Sequence, residues 1–128
     1  MGRSMDDLID FSSEVFRALK RENEQVLSNI ANNGCDLTKE VEIIFESQYA
    51  TIDAAKAART ELRKLNTLPS TGLHMVCDYS KTKGYCSVEL SVEMVSNVQA
   101  LTEIEAKMRY IDHLLGGENV GWEFQDRS

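Results

Sequence analysis

Two β-α-β segments joined by a short polar hairpin, with one long helix ahead of them, predict an α+β sandwich of the ferredoxin-like kind. Right-handed crossovers would place both crossover helices on one face of an antiparallel four-stranded sheet of order 4-1-3-2. At 128 residues the chain has the size of one ordinary domain. The helix is expected over residues 4–32 and the sandwich over 40–126.

The leading helix opens on Ser4-Met5-Asp6-Asp7, which has the form of a capping box with acids in the first turn. Leu8, Phe11, Val15, Leu19, Val26 and Ile30 recur at helical spacing. The stripe lapses at Glu22 and Asn23, where a bend or thin cover is expected. Asn32-Asn33-Gly34 is the stop signal.

Val41 to Ser47 alternates as the first strand, with Val41, Ile43 and Phe45 on one face and Glu42, Ile44 and Glu46 on the other. Thr51 caps a second helix with Asp53 in its first turn. Its stripe is Ile52, Ala55, Ala58, Leu62 and Leu65, and a loop follows from Asn66 to Gly72.

Leu73 to Tyr79 and Tyr85 to Glu93 flank Ser80-Lys81-Thr82-Lys83-Gly84 as a hairpin. One register keeps every apolar side chain on one face: Leu73 opposite Leu90, Met75 opposite Val88, and Cys77 opposite Cys86. The facing cysteines are expected as free thiols. Ser96-Asn97-Val98-Gln99 reads as a capping box for the third helix, whose stripe is Val98, Leu101, Ile104, Met108, Ile111 and Leu115. Gly116-Gly117 ends it. Val120, Trp122 and Phe124 then alternate with Gly121, Glu123 and Gln125 as the last strand.

Composition narrows the function. Of the residues 42% are apolar and 27% charged, a globular balance. No apolar run is long enough for a membrane span, and the start lacks signal-peptide patterning; Met1 to Ser4 could precede a native start at Met5. A net charge of −7 disfavours phosphate backbones and favours a basic partner. Three cysteines without C-x-x-C, and two distant histidines, make neither a disulfide framework nor a metal site. A reducing, cytoplasmic setting is expected. No cofactor is implied: Gly116-Gly117 follows a helix instead of opening one, and no nucleophile–base–orienter set can be assembled. Cys35 reads as a loop cysteine, His74 as a sheet-surface histidine, and Trp122 as a core anchor whose indole N–H needs an acceptor.

The side of the sheet away from the helices would carry six acids, Glu42, Glu46, Asp78, Glu89, Glu93 and Glu123, with His74 and no Lys, Arg or aromatic. RNA-binding sheets of this architecture stack bases on aromatics, so RNA is a poor fit. Three readings are open. The face is solvated and partly covered by the leading helix, whose Arg17, Lys20 and Arg21 would answer it; or it docks a basic protein segment; or it holds a divalent cation, for which no clustered ligand spacing exists.

A leading helix ending in Asn33-Gly34-Cys35-Asp36-Leu37, then a strand, an Ala-rich helix, a hairpin, a long helix and Gly121-Trp122-Glu123-Phe124, resembles the bacterial RraB family over about residues 22 to 126. Gly34 and Asp36 match its D-G-x-D-type turn; Gly121 and Trp122 match its Y-D-G-W-G-like strand. Val120 stands where the family has an acid and Glu123 where it has a glycine, and the chain stops at Asp126-Arg127-Ser128 in place of an acidic tail. The resemblance implies a non-catalytic cytoplasmic regulator that binds and inhibits ribonuclease E, a nuclease with basic, largely disordered segments. The competing expectation is a small acidic interaction module with another basic partner, or a homodimer pairing through this sheet.

Overall fold

The computed structural model describes residues 9, 10, 12–64, 71–80 and 83–125. Along them run α1 (Glu14–Asn32), β1 (Glu40–Tyr49), α2 (Ile52–Arg63), β2 (Thr71–Ser80), β3 (Lys83–Val95), α3 (Val98–Leu115) and β4 (Glu118–Gln125). The fold is α+β. The four strands pair antiparallel in the order β2-β3-β1-β4.

The hairpin register is the one that apolar alternation requires: Leu73 faces Leu90, Met75 faces Val88 and Cys77 faces Cys86. A slip of one residue would turn every apolar side chain of β3 to the wrong face. The ladder runs on to Ser80 opposite Lys83, so the connection is tighter than the five-residue loop expected. Cys86 is buried. The side chains of β2, including those of Leu73, His74, Met75, Cys77 and Asp78, lie outside the described residues, as do Leu65 and positions 66–70 of the loop.

One apolar layer holds the sandwich together. Ile43, Phe45, Val88, Leu90 and Val92 from the sheet pack on Ala55, Ala58 and Leu62 of α2 and on Leu101, Ile104, Met108 and Ile111 of α3. The alanines of α2 let that helix come close to the strands. Val41, Trp122 and Phe124 pack at the edge of this core. Ile52, expected in the stripe of α2, is instead an exposed side chain, standing at the first position of the helix. Thr51 caps α2 by accepting from the amide of Ala54 at 3.1 Å. Asn97, one residue after the expected Ser96, caps α3 by accepting from the amide of Ala100 at 3.0 Å. Gly116 ends α3 in the left-handed region at φ 73°, where glycine has no Cβ to clash.

The leading helix departs most from its expected form. The Ser4–Asp7 capping box, Leu8 and Phe11 lie outside the described residues. The helix begins at Glu14, because Asp10 organises a turn just before it. Its carboxylate accepts from the amide and hydroxyl of Ser12 at 2.9 and 2.6 Å, and its carbonyl accepts from the amide of Ser13 at 3.2 Å. Such local bonds compete with helical ones. Ser13 then caps α1, its Oγ accepting from the amide of Phe16 at 3.1 Å.

The buried face of α1 is also rotated from the expected stripe. Phe16, Leu19, Asn23 and Leu27 are buried, whereas Val15 is 80% and Val26 42% exposed. That face packs against α3. Each buried apolar side chain contributes about 1.5–3 kcal/mol. Asn23 sets the rotation. Its Nδ2 donates to Thr102 Oγ1 and to Glu105 Oε1, both at 3.0 Å, while its Oδ1 accepts from Trp122 Nε1 at 2.9 Å. The lapse in the apolar stripe is therefore a buried polar junction.

Candidate open-face binding site

The sheet face away from the helices is built by the alternate residues of β1, β3 and β4. Glu42, Ile44 and Glu46 of β1 are half-buried, as are Glu89 and Ser91 of β3, while Glu93 and Glu123 are exposed. Register brings the acids together: Glu42 lies directly opposite Glu93, Glu46 directly opposite Glu89, and Ile44 lies between Ser91 and Glu123. Directly opposed like charges cost a sheet about 0.2–1 kcal/mol per pair. Asp78, the sixth expected acid, is placed by its backbone opposite Tyr85, and its side chain is outside the described residues. Because β3 reaches back to Lys83, its alternation puts Tyr85 on this face as well. An aromatic is thus present where the sequence reading counted none, because that reading began the strand at Tyr85 and assigned the residue to neither face.

A β-bulge shapes the β4 side of the face. Pairing runs from Ile43 opposite Phe124 to Glu46 opposite Gly121, then shifts so that Ser47 meets Asn119. Val120 is the extra residue. Simple alternation would have put it beside Trp122 on the helix side, but the bulge leaves it 53% exposed on the wall of an open-face depression. Gly121 takes φ 124° there, a value that L side chains rarely adopt. The depression has a volume of about 260 Å³ and is lined by Ile44, Glu46, Glu89, Val120, Gly121, Trp122 and Glu123. Val120 and Glu123, the two departures from the family-like strand pattern, both border it.

Two arginines of the leading helix do not reach these acids. The helix lies against α3 in the helical layer, and Arg17 and Arg21 both pair with Glu14 of their own helix, at 3.0 and 3.1 Å. Of the basic residues in the reading that has this helix partly cover the open face, Arg17 and Arg21 are turned to Glu14 instead, and the polar junction at Asn23 holds the helix against α3.

The four family-motif positions fall in two places. Gly34, at φ 97°, and Asp36 form the exposed turn from α1 into β1. The Asp36 carboxylate accepts from the hydroxyl and amide of Thr38 at 2.6 and 2.9 Å, and those bonds hold it below the ordinary aspartate range. Gly121 and Trp122 sit opposite Glu46 and Phe45 in the middle of β1. The turn organises the entry to the sheet and contributes nothing to the depression. Trp122 serves as the expected anchor, half-buried with its N–H on Asn23, and its ring stacks at a tilt on Phe124 with centroids 5.7 Å apart.

A second polar cluster escaped the sequence reading. Asp112 of α3, buried at 4% exposure, accepts from Ser47 Oγ at 2.7 Å and from the Tyr49 hydroxyl at 2.5 Å. Burial raises the Asp112 carboxyl above its ordinary value, against the hydrogen bonds from Tyr49 and Ser47. Burial, and then the bond to Asp112, push Tyr49 far above its own ordinary value. The only sequence signal was polar Ser47 at an inward position of β1. The cluster sits inside the fold and ties α3 to β1. Among the described residues no three His, Cys, Asp or Glu side chains are grouped to hold a metal, and no helix is long and apolar enough to cross a membrane.

Compared with known proteins, residues 20–124 match a family model described as regulator of ribonuclease activity B. No curated protein matches the chain.

Proposed function

The chain belongs to the RraB family of regulators of ribonuclease activity, and from that premise we propose that it acts without catalysis, by binding ribonuclease E through the open sheet face and restraining its RNA processing. The observation that carries this reading is the register of the acids, Glu42 against Glu93 and Glu46 against Glu89, on the side of the sheet away from every helix. A surface that sets like charges together is favourable for a basic partner, whose charge removes the repulsion on contact. The contact comprises Glu42, Glu46, Glu89, Glu93 and Glu123, with Asp78 beside them on β2.

Strand order and two crossover helices packed on one face support reading the sandwich as ferredoxin-like. That architecture also serves RNA-binding domains. Here one tyrosine near the hairpin end is set against a row of carboxylates, and phosphate repulsion outweighs what one stacking ring could return. The regulator therefore acts on the nuclease and not on the RNA, in the cytoplasm.

Calorimetric titration with the basic non-catalytic region of ribonuclease E, at low and physiological salt, tests this. Micromolar or tighter binding that weakens with salt is expected. No heat at either salt would remove the proposed partner.

A further inference from the structure

The depression beside the β4 bulge has a shape and chemistry that a merely acidic surface lacks. Its lining is mixed, with Ile44 and the exposed Val120 as apolar members among carboxylates. Glu46 and Glu89 stand on it as a directly opposed pair, and Glu123 approaches from β4, next to Ile44 in the register. A side chain that would crowd the space opposite Glu46 is missing, because the residue there is Gly121, where an added Cβ would meet nothing within 4 Å. The Trp122 indole N–H is bound to Asn23 on the helix side. At about 260 Å³ the depression falls below the roughly 300–1,000 Å³ of pockets for drug-sized ligands. It suits one long side chain.

We propose that this depression is the specificity pocket of the open face and receives a single arginine side chain of the basic partner segment. This rests on the reading of the face as a docking surface for such a segment and adds to it which residue type is selected and where. An arginine stem lies along Ile44 and Val120, as long basic side chains do over apolar surface. Its planar guanidinium offers donors in a fork that can meet two carboxylates at once, here the Glu46–Glu89 pair, with Glu123 at the rim. A lysine brings the same charge but a compact, strongly hydrated head that makes no two-pronged contact and gives up more hydration on entering. Glu42 and Glu93, farther along the same strands, attract either residue equally.

The experiment compares two labelled peptides of equal length and net charge, one with arginine and one with lysine as its basic residue. Each is titrated by fluorescence anisotropy into the full chain, into the Glu46→Gln/Glu89→Gln variant and into the Glu42→Gln/Glu93→Gln variant. The parent is expected to bind the arginine peptide about tenfold more tightly. Glu46→Gln/Glu89→Gln is expected to erase that preference, and Glu42→Gln/Glu93→Gln to weaken both peptides while keeping their ratio. Val120→Lys, at an exposed position, places a competing cation at the pocket wall and is expected to act like the Glu46→Gln/Glu89→Gln change. Equal affinity of the parent for both peptides overturns the pocket and leaves the acidic docking face standing. A preference that survives Glu46→Gln/Glu89→Gln also overturns it. Binding of neither peptide overturns the pocket and the docking face together.

Discussion

The indole Nε1 of Trp122 donates a 2.9 Å hydrogen bond to Oδ1 of Asn23, joining the last strand to the first helix across the helical layer. The same asparagine donates to Thr102 and Glu105 of α3, so one side chain fixes three elements. Removing it takes the donor from two buried acceptors, Thr102 Oγ1 and Glu105 Oε1, and the acceptor from the indole N–H, and a buried group left without a partner costs about 1–3 kcal/mol. Asn23→Ala is therefore expected to lose about 2–3 kcal/mol in urea denaturation. Trp122 is the sole tryptophan and reports directly, with its emission moving to longer wavelength as α1 loosens. An unshifted spectrum with unchanged stability would mean that apolar contacts alone hold the helix.

Neighbouring valine and leucine test the rotation of that helix. Val26 is 42% exposed and Leu27 only 7%. Val26→Asp is expected to stay within about 0.5 kcal/mol of the parent, as surface changes do. Leu27→Asp buries a charge and is expected to cost more than about 3 kcal/mol. Equal losses in thermal melts would contradict the rotation.

Asp112 gives the fold a dependence on pH. Its carboxyl is raised above the ordinary 3.8 by burial, so the folded chain holds this proton more firmly than the unfolded one. The stability linked to that proton is complete below the ordinary value and is lost as pH climbs through the raised one. Asp112→Asn keeps an acceptor for Tyr49 and can donate to Ser47. Relative to Asp112→Asn, the parent is expected to weaken as pH climbs above the ordinary aspartate value of 3.8. A difference that stays flat as pH climbs would place Asp112 at an ordinary pKa. Asp112→Ala, which leaves Ser47 and Tyr49 unpartnered, is expected to be destabilised at every pH in the series.

The two glycines after α3 are expected to respond differently. A Cβ on Gly117 would stand 2.4 Å from Cε1 of Tyr49, whereas one on Gly116 meets nothing within 4 Å and suffers only from φ 73°. Gly116→Ala is expected to cost about 1–2 kcal/mol through backbone conformation. Gly117→Ala is expected to cost about 2–3 kcal/mol through overpacking of the ring that holds Asp112. Comparison of their denaturation midpoints checks the ranking.

On the open face, binding and stability are expected to move in opposite directions. Glu89→Lys turns the opposed pair with Glu46 into an attractive one, worth about 0.2–1 kcal/mol of added stability. The same change should weaken the basic partner and flatten its salt dependence. A variant that binds as before would place the contact elsewhere.

Several local features were legible because they depend on near neighbours. The stop at Asn33-Gly34, the cap at Thr51, the glycine end of α3 and the Cys77–Cys86 register each follow from a short pattern with one satisfactory solution. Five acids of the candidate site were likewise readable as one face of alternating strands. That Glu46 meets Glu89, and that a depression lies beside them, was not readable, since the first depends on the register between β1 and β3 and the second on a bulge that adds one residue.

Sequence alone determined which residues turn inward along β1 and β3 and how the hairpin pairs, because a period of two leaves one register with a continuous apolar face. Tertiary structure decided three other matters. It rotated α1 to bury Asn23 and left Val15 and Val26 outside, because a buried amide must satisfy its hydrogen bonds and found all of them on α3 and Trp122. It bulged β4 at Val120, with Gly121 able to take φ 124°. It set Glu42 and Glu46 against Glu93 and Glu89, because burial of Ile43 and Phe45 on the far side of β1 fixed that strand's facing against β3 whatever its outward charges. Apolar burial outweighs the repulsion of exposed carboxylates, and that imbalance leaves the sheet with an acidic face.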